Sequence, residues 1–258
     1  MTALVTGAAL RLGRAMALEL ARAGHDVAIH YAGSADAAED TAKEVRGFGV
    51  RAVTLQADLT VEDDMQTLLP RAAQAFGAPI TVLINNASIF EYDNLASATR
   101  ASWDRHLESN LRAPFVLTQA LAAQIPAPIA DENGEPLAQG LVVNMIDQRV
   151  HKLTPEFMSY TIAKMGLWAL TRTAAQALAP RVRVNAIGPG PTLQGARQSA
   201  AHFARQRAAT ILNRGADEKG ICDALRYLLD ARAVTGQLIC VDGGQHLGWE
   251  TPDVIGVE

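Results

Sequence analysis

Ala3-Leu4-Val5-Thr6-Gly7-Ala8-Ala9-Leu10-Arg11-Leu12-Gly13 decides how this chain folds. An apolar run, Ala3–Thr6, reads as a strand, and an Ala/Leu-rich helical pattern follows over 12–23. Strand, glycine turn and helix in that order open a βαβ unit whose helix N-terminus offers oriented N–H donors to a phosphate. Gly7 and Gly13 let the backbone come close to a pyrophosphate. Arg11 stands where a third glycine is usual, and its guanidinium suits bidentate phosphate contacts. A simple tight turn would show the same glycines, so the rest of the chain has to decide.

The same alternation runs to the end. Further strands are expected at Val27–Tyr31, Val50–Gln56, Ile80–Asn85, Gly140–Met145, Arg183–Ile187 and Gln237–Val241. Helical patterns lie between them near 36–47, 61–76, 101–123, 155–178 and 217–230. This rhythm predicts one α/β domain over 1–258, a Rossmann-type doubly wound fold whose parallel seven-stranded sheet has helices on both faces. Two stretches break it. Pro126–Gln139 reads as an exposed loop, and the segment from Gly188, about 188–210, reads as a substrate loop on the carboxyl edge of the sheet.

Bulk properties narrow the function. With 258 residues, 49% hydrophobic and 19% charged, the chain can bury a full core. A net charge of −4 gives a nucleic-acid partner no electrostatic support. No apolar run reaches bilayer-spanning length, so no membrane partner is expected. The first strand starts almost at Met1, and the two cysteines, Cys222 and Cys240, lack metal or redox spacing. A soluble cytoplasmic protein without a metal site is expected.

The second strand ends His30-Tyr31-Ala32-Gly33-Ser34, with no carboxylate before Asp36 to bind ribose hydroxyls. With His30, Ser34, Arg11 and Arg14 nearby, a 2′-phosphate is favoured, so NADP is expected over NAD; His30 as a partly buried spacer is the bland reading. Asp58 follows the third strand and suits an adenine amino group, while Thr60 with Asp63 supplies the next helix cap. Asn85-Asn86-Ala87-Ser88-Ile89-Phe90 follows the fourth strand, where Phe90 is either core or a wall for a planar ligand. Asn110 sits mid-helix, a poor place for Asn unless its amide holds water or a carbonyl.

Tyr160 and Lys164 are four apart on a helix whose first turn is marked by Thr154 and Pro155, so they share one face. An ammonium beside a phenol lowers its pKa, and the pair reads as a general acid/base tuned toward neutral pH. Asp147 closes the fifth strand, where it can meet Tyr160 at one edge or serve as a cap.

From the glycine turn through Asn85-Asn86-Ala87, Asn110, Tyr160/Lys164, Gly188-Pro189-Gly190 and Val241-Asp242-Gly243-Gly244, the chain resembles the short-chain dehydrogenase/reductase family. Within it, Arg11, His30-Tyr31 with Ser34, Asn86-Ala87-Ser88 with Phe90, and Asp147 in place of the usual serine look most like pteridine reductases and their bacterial dihydropteridine and dihydrofolate relatives. Gly33 and Leu10 depart from that pattern where Arg and Lys are common. The resemblance implies NADPH/NADP+ along Gly7, Arg11, Leu12, Gly13, His30, Tyr31, Ser34, Asp58, Leu59, Asn86, Ala87, Ser88, Lys164, Pro189 and Gly190. It places Arg11, Ser88, Phe90, Asp147, Tyr160 and Thr192 at the substrate, with Asn110, Asp147, Tyr160 and Lys164 catalytic, and implies a homotetramer. If ionised, Asp147 keeps the phenol protonated, and Lys164 opposes it. Other readings are a ketone, quinone or alcohol oxidoreductase of the same fold, and a silent NADP-binding sensor.

Overall fold

The computed structural model describes residues 1–195 and 198–251 of the chain. Its elements are β1 (Thr2–Val5), α1 (Arg11–Arg22), β2 (Asp26–Tyr31), α2 (Ala35–Arg46), β3 (Ala52–Gln56), α3 (Glu62–Phe76) and β4 (Val82–Asn85). After these come α4 (Arg100–Leu107), α5 (Ala113–Gln124), β5 (Ile129–Ala130), β6 (Pro136–Leu137) and β7 (Gly140–Met145). The rest are α6 (Met158–Leu178), β8 (Val182–Pro189), α7 (Ala200–Ala208), α8 (Glu218–Asp230) and β9 (Leu238–Val241).

Seven strands form a parallel sheet in the order β3-β2-β1-β4-β7-β8-β9. All seven expected strands are present, with small shifts at their ends. Every residue of β1, β4 and β7 is buried, because helices cover both faces and leave no polar side. One core layer joins Val5, Ile29 and Val143 to Met16, Leu20, Leu225 and Leu228 of α1 and α8. The opposite layer joins Leu4, Leu83 and Val142 to Leu68 and Leu69 of α3 and Leu117 and Leu121 of α5. Strand order reverses between β1 and β4, and a crevice opens at that point on the carboxyl edge.

Several expectations are corrected. The helix expected over 101–123 is interrupted by a π-helical turn, Glu108–Arg112. The cause lies at Asn110, whose amide bonds outside the helix. The helix expected from 155 starts at Met158, after Phe157 in the left-handed region at φ 57°. Thr154 and Pro155 therefore precede it. Thr60 does not cap α3, whose N-cap is Val61; Thr60 instead donates its N–H and hydroxyl to Asp58 Oδ1 at 2.9 and 2.7 Å. The expected loop 126–139 holds the small antiparallel ribbon β5–β6. The expected substrate loop, of which residues 196 and 197 lie outside the described residues, contains α7, capped by Ser199 and without a buried residue.

Candidate active site

The glycine turn is held from both neighbouring strands. From β4's end, Thr6 Oγ1 accepts the N–H groups of Asn86 and Ala87, both at 2.9 Å. Asn86 Nδ2 donates to the carbonyls of Thr6 and Gly7 at 2.9 and 3.1 Å. From β2, His30 Nδ1 accepts the Gly7 N–H at 3.0 Å. A Cβ on Gly13 would lie 2.1 Å from the Gly7 carbonyl oxygen and 2.6 Å from Asn86 Nδ2, so only glycine fits where α1 meets the turn. The N-cap of α1, Leu10, makes no side-chain bond, so the first-turn N–H donors have no side-chain acceptor. Arg11 keeps a glycine-like positive φ of 55°, at a cost of about 1–2 kcal/mol. Its guanidinium crosses the crevice and donates to the carbonyls of Gln194 and Leu193 at 3.0 and 3.3 Å.

His30 does not face a phosphate as expected. It is 1% exposed, and both ring nitrogens are engaged, since Nε2 faces the Ala57 carbonyl at 3.1 Å. Burial pushes its pKa down to about 4. It is therefore a neutral strut and no phosphate ligand. Arg14 is likewise engaged, paired with Glu44 on α2 at 2.5 Å. Tyr31 and Ser34 stand outside the crevice lining, and Ser34 is exposed at the start of α2. A Cβ on Gly33 would meet nothing within 4 Å.

His30 makes the stability of the fold depend on pH. The unfolded imidazole takes its proton near pH 6.5 and the folded one only near 4. Its contribution is complete above pH 6.5 and is lost as pH falls toward 4, by about 3 kcal/mol. His25 and His106, also pushed down by burial, act in the same direction. Urea midpoints between pH 7.5 and 4.5 should fall less steeply in His30→Gln than in the parent. An unchanged slope would assign the loss to other groups.

The crevice has a volume of about 1230 Å³ and runs from the glycine turn to Asp147. Gly7, Arg11, Leu12, Gly13, His30, Asp58, Leu59, Asn86, Ala87, Ser88, Phe90, Asp147, Pro189, Gly190 and Thr192 all line it. Asp58 is exposed there with Oδ2 outside its turn. Lys164 and Asn110 lie beneath the wall, 2% and 0% exposed. Asn110 holds Ile89 by both backbone groups, accepting its N–H at 2.9 Å and donating to its carbonyl at 2.8 Å. That fixes the segment carrying Ser88 and Phe90.

Tyr160 is 5% exposed and donates its hydroxyl to Asp147 Oδ2 at 3.0 Å. Asp147 Oδ1 accepts the Arg149 N–H at 2.8 Å. Lys164 donates to the Met145 carbonyl at 2.8 Å, and its Nζ lies 5.6 Å from the Tyr160 ring centroid. The expected depressed phenol is therefore corrected. Burial first, and Asp147 second, hold the Tyr160 pKa well above 10. Burial raises Asp147 and brings Lys164 down to about 8. At neutral pH the site presents a protonated phenol with an ammonium below its ring.

The sequence reading missed three groups. Phe157 stacks on Phe90 with centroids 4.3 Å apart and planes 12° apart, and Phe90 meets Tyr160 edge-on at 4.6 Å. Arg149 lies over the Phe157 ring, its Cζ 5.3 Å from the centroid. A buried chain runs from His106 Nδ1 to Ser159 Oγ at 2.6 Å and on to Asp93. The Glu91 N–H donates to His106 Nε2, so Nδ1 carries the proton. The chain ties the loop after Phe90 to the first turn of α6. Phe157 has a sequence signal, an aromatic one helical turn before Tyr160; the chain of three has none.

The family model described as enoyl-(acyl carrier protein) reductase matches residues 7–246. A 3-oxoacyl-[acyl-carrier-protein] reductase of Staphylococcus epidermidis is 30% identical over 251 residues, covering 95% of this chain and 99% of that one. Among solved structures, the alternative dihydrofolate reductase 1 (FolM) of Brucella suis, in complex with NADP, is 45% identical with a TM-score of 0.90, covering 98% of each chain. The landomycin C-6 ketoreductase LanV, with bound NADP and rabelomycin, is 30% identical with a TM-score of 0.83, covering 96% of each.

Proposed function

The chain belongs to the short-chain dehydrogenase/reductase family, and on that premise we propose that it is an NADPH-dependent reductase of pteridines of the biopterin, dihydropterin or dihydrofolate kind. The observation that carries the substrate class is the carboxyl of Asp147 on the Tyr160 hydroxyl, beside the aromatic wall of Phe90. A pteridine offers ring nitrogens to a proton donor and a flat face to Phe90. The Brucella reductase, 45% identical, supports the same reading.

The residues present fit the cofactor. The uncapped start of α1 and the glycine turn suit a pyrophosphate, Asp58 suits an adenine amino group, and Ser34, exposed at the start of α2 two residues beyond the crevice-lining Ala32, suits a 2′-phosphate that reaches past the crevice. When bound, the reduced nicotinamide supplies the hydride. Tyr160 Oη donates its proton to the ring nitrogen beside the carbon being reduced. Lys164, cationic below pH 8, stabilises the phenolate left behind and has two N–H donors beyond Met145 for ribose hydroxyls. Asp147 and Ser88 hold the phenol in line. Arg11 contacts phosphate and substrate once it leaves the carbonyls of Leu193 and Gln194. Thr192, bonded to the Gly190 carbonyl at 3.1 Å, opens the substrate segment.

A second reading, reduction of a ketone, is favoured by the two relatives at 30% identity, since Tyr160 protonates a carbonyl oxygen equally well. NADPH oxidation measured with biopterin, dihydrobiopterin, dihydrofolate and simple ketones separates the two. Turnover with the pteridines is expected, and turnover with ketones alone would overturn the proposal. The exposed Trp103, Phe115, Ile162 and Met165 on α4, α5 and α6 support a homotetramer, which light scattering would test. Both cysteines are free, which supports a cytoplasmic setting.

A further inference from the structure

We infer that Arg149 selects an anionic tail on the substrate, so that the preferred class is a pteridine ending in a carboxylate, as dihydrofolate does, over one with a neutral side chain. The inference rests on the pteridine reading above and narrows it.

Three observations carry it. First, the groups such a molecule needs stand together at the crevice. Phe90 lies 4.6 Å from Tyr160, Phe157 lies 4.3 Å from Phe90, and the Arg149 guanidinium lies 5.3 Å from Phe157. Phe90, Phe157 and Arg149 all line the crevice. The two phenyl rings touch, so a planar ligand packs against them and not between them. A heterocycle, an aryl spacer and a terminal acid would find there a phenol, an aromatic wall and a cation.

Second, the guanidinium forms no salt bridge among the described residues, although its charge acts on the buried carboxyl of Asp147. Its Nη1 donates instead to Thr154 Oγ1 at 2.6 Å. Glu156, close in the chain, bonds instead to the Tyr92 hydroxyl. Arg149 Nε is buried with no acceptor. A half-buried cation with unfilled donors favours an anion, and the planar fork fits a carboxylate.

Third, the placement is fixed. Arg149 lies in the short helical turn Gln148–Val150, and its N–H is bonded to Asp147 Oδ1 at 2.8 Å. The cation is thus tied by two residues of chain to the carboxyl that orients the proton donor. Phe157, against which the guanidinium rests, holds a left-handed φ of 57°, a conformation that persists in a bulky residue only when its surroundings enforce it.

The bland alternative is a strut: Arg149 only braces the segment 150–157 through Thr154 and Phe157. A strut serves every substrate equally, so the ratio of two substrates separates the roles. The experiment compares the parent, Arg149→Met and Arg149→Lys with NADPH, using dihydrofolate and dihydrobiopterin, which lacks a carboxylate. The kcat/KM ratio, dihydrofolate over dihydrobiopterin, is expected to fall about 10- to 100-fold in Arg149→Met, mainly through KM, and to recover in part in Arg149→Lys. An unchanged ratio overturns the inference, whatever happens to the absolute rates. Binding of p-aminobenzoylglutamate, measured by calorimetry, is the second readout. If the parent reduces neither pteridine yet binds this fragment and Arg149→Met does not, the anion site stands and the pteridine reading falls. If binding is absent or independent of Arg149, the anion site falls.

Discussion

Tyr160→Phe lowers kcat about 10³-fold and leaves the Kd for NADPH within about twofold. The phenylalanine ring keeps the neighbours that the tyrosine ring has, Phe90 at 4.6 Å, His106 at 6.1 Å and Lys164 Nζ at 5.6 Å. Only the hydroxyl is lost, and with it the proton that burial and Asp147 hold on the phenol. The proton donor is therefore deleted without repacking α6. Single-turnover rates with saturating NADPH isolate the chemical step, and cofactor fluorescence titration reports binding. A rate within tenfold of the parent would show that another group supplies the proton. Thermal unfolding of the variant should be close to the parent's, since one hydrogen bond contributes about 1 kcal/mol.

The framework was legible because its causes are local or periodic. A strand buried on both faces must be apolar throughout, and β1, β4 and β7 show that as plain runs such as Val142-Val143. Gly13 was legible because nothing else fits against the Gly7 carbonyl. What escaped depends on partners remote in sequence. Asn110 breaks its helix because Ile89 waits 21 residues away. His30 looks like a phosphate ligand until Gly7 and Ala57 are found on its two nitrogens. The Tyr-x-x-x-Lys spacing puts both side chains on one face, but not the ammonium on the phenol oxygen. Lys164 is drawn to Met145, and the carboxyl of Asp147 reaches the hydroxyl instead. The helix α7 was unreadable because it buries no residue and so has no apolar stripe.

Asp147→Ser separates the electrostatic role of that carboxyl from its role as a ligand. The change lowers kcat/KM for a pteridine by about 10- to 100-fold and leaves NADPH affinity nearly unaltered, because the carboxyl contacts Tyr160 and the substrate side of the crevice. It also moves the alkaline limb of the pH–rate profile to lower pH. The sign follows from the causes of the raised phenol pKa. Burial is the larger and survives the substitution; the negative charge of Asp147 is the next and is removed. Lys164, with a pKa brought down to about 8, loses the upward influence of Asp147 as well, so its charge is given up at lower pH. Both shifts act in the same direction. Stability moves the other way. The folded pKa of Asp147 is raised by burial above the unfolded value. Between those two values the native state holds the extra proton, so burying this carboxyl costs stability at neutral pH. Asp147→Ser should therefore raise the urea midpoint at pH 7 relative to pH 4, while the enzyme slows. A variant that loses both rate and stability at pH 7 would mean that the carboxyl braces the Gln148–Val150 turn through the Arg149 N–H, a bond that a serine hydroxyl replaces only in part. Unchanged turnover with a pteridine would remove Asp147 from the reaction altogether.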